Sequence, residues 1–328
     1  MRTKRIVIVV GAIGLIAGAG LFALRAQTKG RAFEMAAGSA KFWNLFEHAA
    51  KLTTVGSGFG FTEGPVWDPA GFLYVSDEET DKIFRLHIAD GRKDEFVSLG
   101  DPDGNTYDRQ HHLIDCASVL RAIIKLDDKG HYTVLADRYE GGKFNSPNDV
   151  IVGPDGAIYF TDPTLDLPKG DKQEIPFQGV YRLGPGGDVQ LLTKELSQPN
   201  GLAFSPDGKK FYVDDSEQRN IRVYDFKANG SLEKGRVFGE EPGGKGEGVP
   251  DGIKVDQQGN LYVTGPGGIW VWDSEGQHLG TINLPEQPAN LAWGDADYGT
   301  LYITATTSVY RLRTKARGYV PYLHQRHK

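Results

Sequence analysis

A short motif returns six times along this chain, and a chain that repeats at such a spacing must stack copies of one supersecondary unit. Each copy opens on a polar residue, usually beside a glycine, runs through a short alternating strand, turns, and enters a second strand. The copies are EGPVWDPAGFLYVSD from Glu63, DGNTYDRQHHLIDC from Asp103, NDVIVGPDGAIYFTD from Asn148, NGLAFSPDGKKFYVDD from Asn200, DGIKVDQQGNLYVTG from Asp251 and ANLAWGDADYGTLYIT from Ala289. They start 40, 45, 52, 51 and 38 residues apart, the period of a four-stranded propeller blade. The turns carry their own chemistry, as in Asp68-Pro69-Ala70-Gly71 and Pro206-Asp207-Gly208, where proline presets φ early and glycine accepts positive φ late. Val75, Tyr159, Tyr212, Tyr262 and Tyr302 recur at one phase, which assigns them to the core between blades. Helical periodicity is essentially absent after residue 58. The expected fold is therefore all-β, a six-bladed β-propeller over residues 58–316. Six units of this size make one domain, against the two that 328 residues would suggest.

The informative position is the first of each unit, because the innermost strand of a blade lines the central channel. Those positions are Glu63, Asp103, Asn148, Asn200, Asp251 and Ala289, five of which offer side-chain oxygen. Asn or Asp before glycine also arises from local turn chemistry, but Glu63 forms no such turn. Five recurrences in phase favour a shared site on the axis. An oxygen-only set suits a hard cation, calcium first, with magnesium and manganese as alternatives. Zinc is a poorer alternative, since it calls for histidine or cysteine.

Composition removes other classes. A net charge of −6 argues against nucleic acid as a partner. The single cysteine, Cys116, excludes an internal disulfide and a cysteine-ligated zinc centre. At the N-terminus, Arg2, Lys4 and Arg5 precede an uncharged run of 19 residues, Ile6 to Leu24, long enough for a membrane helix. Residues 1–30 are thus expected to form a transmembrane signal anchor or a cleaved signal peptide. That puts the propeller outside the cytoplasm, either tethered to the membrane or released to the periplasm. Residues 31–57 read as a short helix and linker, and residues 317–328 as a basic tail.

At these residues the chain resembles the gluconolactonase family, which includes senescence marker protein and luciferin-regenerating enzyme. The resemblance covers residues 58–316 and rests on Glu63-Gly64-Pro65-Val66-Trp67, Ser146-Pro147-Asn148-Asp149-Val150, Pro199-Asn200-Gly201-Leu202 and Val249-Pro250-Asp251-Gly252. It implies a six-bladed propeller with one divalent cation, usually calcium, held at Glu63, Asn148, Asn200 and Asp251. It also implies a small-molecule lactone as substrate, and some distant relatives cleave organophosphates. Two positions depart from the family. Ser118 stands where many bacterial members have histidine, and Ser146 where the animal branch has arginine. Both lie near the family's substrate pocket, and Asp103 adds a negative charge beside it. Asp103, Asn148 and Ser118 are therefore the expected substrate-binding residues.

A cation on the axis polarises an ester carbonyl or acidifies a water, and the attacking water then needs a base. Asp251 is the expected base. Cation binding would weaken it as one, but an acidified water needs only a weak base. Glu63 and Asp251 together neutralise a dication, with Asn148 and Asn200 as neutral ligands. Rival chemistries find little support. The chain holds no Gly-x-Ser-x-Gly elbow. His111 and His112 are neighbours in a strand-like stretch and would face opposite ways. Asp77-Glu78-Glu79, Asp162-Pro163 and Asp214-Asp215 read mainly as turns and solvated acids, with a place lining the channel mouth left open for Asp162-Pro163, and Gly265-Pro266-Gly267-Gly268 reads as a hairpin. Two alternatives to a lactonase stay open: a membrane-anchored propeller that binds without catalysis, and an ester or organophosphate hydrolase on the same metal site.

Overall fold

Each unit of the repeat folds into one antiparallel sheet, and six sheets follow one another around a central axis. The computed structural model describes residues 31–244 and 246–323. Blade one is Thr62–Asp68, Phe72–Asp77, Lys82–His87 and Lys93–Ser98, paired in chain order from the axis outward. Blades two, three and four repeat this order from Pro102–Tyr107, Val150–Val152 and Pro199–Phe204. Blades five and six start from Ile253–Val255 and Pro288–Gly294.

Alternation along the second strands sets the core. Tyr159, Tyr262 and Tyr302 are fully buried and Tyr212 nearly so, each between its own blade and the next. Val75, also fully buried, is corrected to the opposite face, packing with Tyr302 and Val309 of blade six, while Tyr74 faces blade two. Trp67 of blade one stacks on Tyr302 of blade six, closing the apolar contact around the ring. The Gly265–Gly268 stretch is a hairpin turn, as expected, between Leu261–Gly265 and Gly268–Trp272.

The expected boundary at residue 58 is corrected. Leu52–Ser57 pairs antiparallel with Ser308–Arg313 as the outermost strand of blade six. Glu34–Ala37 adds a fifth strand to blade five, against His278–Asn283. Between them Ala40–Asn44 is a 3-10 helix capped by Ser39, which accepts from the Lys41 amide at 3.1 Å. Phe42 and Phe46 are fully buried in the cluster with Tyr262 and Ile269. Each such ring contributes about 1.5–3 kcal/mol by leaving water. Glu34–Ala37 and Leu52–Ser57 are thus propeller strands and not linker, while the expected short helix is present as Ala40–Asn44 between them.

The basic tail is corrected in the same way as far as residue 323. Gly318 and Tyr319 donate their amides to Tyr298 of blade six and Val255 of blade five. Tyr319 packs with Ile151 and Phe204, and Tyr322 meets Tyr107 edge-on and the Trp67 carbonyl. The chain end therefore spans the exit ends of the inner strands, opposite the ends that begin each repeat. The expected signal or anchor helix lies outside the described residues. Among the described residues no helix is long and apolar enough to cross a membrane.

Candidate active site

The residues that begin the repeats meet at one end of the ring, because the inner strands approach closely there. The glycine after four of the six entry residues, Gly64, Gly104, Gly201 and Gly252, allows it. A Cβ on Gly104 would stand 2.6 Å from the Asn148 carbonyl and 2.7 Å from the Asp149 Cα. A Cβ on Gly201 would overlap the Asp251 carbonyl. Neighbouring inner strands also exchange backbone hydrogen bonds, Gly104 N to Asn148 O at 2.8 Å and Gly252 N to Ala289 O at 2.9 Å. The glycines thus serve close packing between blades and not Asx turns.

A second repeated device fixes the approach to each entry residue. Asp77 accepts the amides of Gly60 and Phe61, Asp162 that of Asn145, and Asp215 those of Ser197 and Gln198. A clamped amide lies three residues before each entry residue, Glu63, Asn148 or Asn200, with a second one two residues before Glu63 and Asn200. These aspartates are 0–2 % exposed, so their reading as solvated turn acids is corrected. They hold the loops at the channel mouth.

At the mouth, Glu63 Oε2 accepts from Gly64 N at 2.5 Å and from Asn290 Nδ2 at 2.9 Å, while Asn148 Nδ2 donates to Asp103 Oδ2 at 2.7 Å. Asn200 Nδ2 reaches Ser216 Oγ at 3.2 Å, and the Asn200 amide also faces the Asp251 carboxylate. Glu63 Oε1, Asn200 Oδ1 and Asp149 Oδ2 stand among the buried oxygens that have no hydrogen-bond partner among the described residues. A buried acceptor left open costs about 1–3 kcal/mol unless something positive fills the gap. Among the described residues no group of three His, Cys, Asp or Glu is arranged for a metal, and the set here mixes two carboxylates with two amides.

The charges show strong mutual repulsion. Burial drives the Glu63 carboxyl up to about 7, with Asp149 adding to the rise. Burial likewise pushes Asp251 well above the usual carboxylate range, helped by Glu63 and Asp149, and Asp103, helped by Glu78 and Glu63. At the rim, burial lifts Asp101 to about 7 and Asp166 to about 6. The arrangement therefore withholds protons from no carboxylate by itself; a cation at the open oxygens would.

Ser118 and Ser146 both have structural duties. Each is fully buried; Ser118 donates to the Pro147 carbonyl at 2.8 Å and Ser146 to the Pro163 carbonyl at 2.9 Å. Ser118 thus braces the Asn148 loop. Ser146 Oγ also accepts the Asp166 amide at 3.1 Å, which tethers the 164–178 loop beside the mouth. His111 and His112 lie on the hairpin at the far end of their strand, paired with Asp68 and Asp108. Four residues of the cluster escaped sequence reasoning: Asp149, Lys254, Glu78 and Asn290.

Known proteins give the same outline. Residues 61–307 match the family model for the SMP-30/Gluconolactonase/LRE-like region. A gluconolactonase of Zymomonas mobilis is 36% identical over 303 residues, covering 84% of each chain. A pentonolactonase of Haloferax volcanii is 29% identical, covering 74% of this chain and 80% of its own. Among solved structures, a gluconolactonase of Xanthomonas campestris superposes with a TM-score of 0.79 at 34% identity, covering 85% of this chain and 94% of its own.

Proposed function

The chain belongs to the SMP-30/gluconolactonase/LRE-like family, and from that premise we propose that it is a divalent-cation-dependent hydrolase of sugar lactones such as gluconolactone. The single observation that carries the cation is the group of buried, open acceptors, Glu63 Oε1, Asn200 Oδ1 and the neighbouring Asp149 Oδ2, at a mouth crowded with carboxylates. Glu63, Asn148, Asn200 and Asp251 would hold the ion, and an all-oxygen set suits calcium before magnesium or manganese. Bound there, the cation supplies Lewis-acid polarisation of the lactone carbonyl.

The protein's own residues do the rest. Asp251 takes a proton from the attacking water as the water oxygen bonds to the carbonyl carbon. The ring carbon–oxygen bond then breaks, and Asp251 returns that proton to the leaving ring oxygen, giving the open hydroxy acid. Burial raises the proton affinity of Asp251, which suits a residue that takes a proton and gives it back. Asp103, fixed by the Asn148 amide, is placed to accept hydrogen bonds from substrate hydroxyls. Close packing of the mouth excludes bulk water and strengthens each of these contacts.

The test is acid release from gluconolactone in a pH-stat, with calcium and with a chelator. Calcium-dependent release supports the proposal. No release at any cation concentration would make this a binding propeller without catalysis. Release from aryl esters or phosphotriesters in preference to aldonolactones would move the substrate class.

A further inference from the structure

One cation stands inside the acidic cluster. Lys254 lies on the inner strand of blade five, Ile253–Val255, two residues beyond Gly252 and hence on the same face of that strand. Gly252 leaves that face open: a Cβ there would meet the Asn290 side chain and stand 2.8 Å from its Cα. Into the space comes Asn290 of blade six, whose Oδ1 accepts from Lys254 Nζ at 3.0 Å and from Leu291 N at 2.9 Å. The other end of the same amide donates to Glu63 Oε2 at 2.9 Å. A lysine held by an amide, itself held by a backbone N–H, is a fixed charge and not a mobile surface one. Its field opposes the rise of both Glu63 and Asp149.

We propose that Lys254 is a positioning residue, a resident counter-cation seated by Asn290 that offsets part of the axial carboxylate charge and so sets how tightly the mouth holds its divalent ion. The inference rests on the reading of the mouth as a cation site. Lys254 touches neither substrate nor ion; it acts through Glu63 and Asp149. Its presence keeps the empty cluster tolerable and, by the same repulsion, restrains affinity for an added dication.

Calcium titration calorimetry and cation-free melting, on wild type, Lys254→Met, Lys254→Gln and Lys254→Arg, test this. Met keeps the aliphatic stem, and Gln also keeps a donor for Asn290. Both are expected to bind calcium about tenfold more tightly and, without it, to melt below wild type. Lys254→Arg should restore wild-type values on both scales. Calcium affinity that is unchanged or weaker in Lys254→Met, or wild-type behaviour of Lys254→Gln, would overturn the proposal. A purely packing role would lower both melting curves and leave affinity alone. If wild type binds no divalent ion, the cation-site reading fails. Cation-free melting then decides alone, with Met and Gln low and Arg restored expected, and any other order refuting the counter-cation.

Discussion

Gly104→Ala adds one methyl group at a position that touches no substrate, and it should disable the site. The new Cβ would stand 2.6 Å from the Asn148 carbonyl and 2.7 Å from the Asp149 Cα and Oδ1. Two of these three atoms are backbone, so no rotamer change relieves them. Ordinary contact at about 3.5 Å requires the inner strands of blades two and three to part by about 0.8–0.9 Å. That stretches the Gly104–Asn148 backbone hydrogen bond of 2.8 Å and carries the Asn148 side chain off the axis. Overpacking of this kind costs about 1–3 kcal/mol, and a displacement near 1 Å at a reacting centre costs about 100-fold in rate. Gly186→Ala is the control, since its Cβ meets only Asp188 Oδ1, at 3.5 Å, without positive φ. Lactone hydrolysis by pH-stat and melting by scanning calorimetry should show Gly104→Ala down about 100-fold in kcat/KM and lower in Tm, with Gly186→Ala like wild type. Equal behaviour of the two variants would refute the claim that close approach of the inner strands builds the site.

Asp251→Asn keeps a ligating oxygen but loses the base, so turnover should vanish while calorimetry still registers calcium binding. Full activity in that variant would remove Asp251 from the chemistry. The cation-free protein should lose stability as pH rises from about 4.5 to about 7, because the folded state holds a proton on Glu63 that the unfolded chain releases earlier. Saturating calcium should flatten that slope, and melting curves at pH 5 and 8 with and without chelator measure both effects. Truncation after Lys315 removes Tyr319 and Tyr322 from beneath the ring, and Tm should fall by several degrees with KM unchanged. A changed KM with an unchanged Tm would give the tail a different task.

The parts of this molecule that obey period two were legible in the sequence. Tyr159, Tyr262 and Tyr302 repeat at one phase and the structure buries all three between blades, whereas Val75 is one residue out of that phase and Tyr74 holds it in blade one. Glu63, Asn148, Asn200 and Asp251 were found because a ring brings equivalent positions to one end. Asn290 was missed beside Ala289 because the inner strands begin with irregularities that break alternation. Register shifts fall between Glu63 and Val66, Pro102 and Asn105, Pro199 and Leu202, and Pro288 and Asn290. Across such a bulge, which of two adjacent residues faces the axis cannot be read from spacing. Asp77, Asp162 and Asp215 looked solvated because they end strands at turn-like acids. Their partners are backbone amides 16 to 18 residues upstream, which no local pattern displays. Residues 34–57 looked like a linker because their pairing partners lie over 200 residues away, at the other end of the chain.

The most direct test is a crystal structure grown with calcium. Density for one ion bounded by Glu63, Asn148, Asn200 and Asp251, with oxygens at about 2.3–2.6 Å, is the predicted result. An ion seated elsewhere, or those four side chains turned from one another with no ion among them at saturating calcium, would contradict the account.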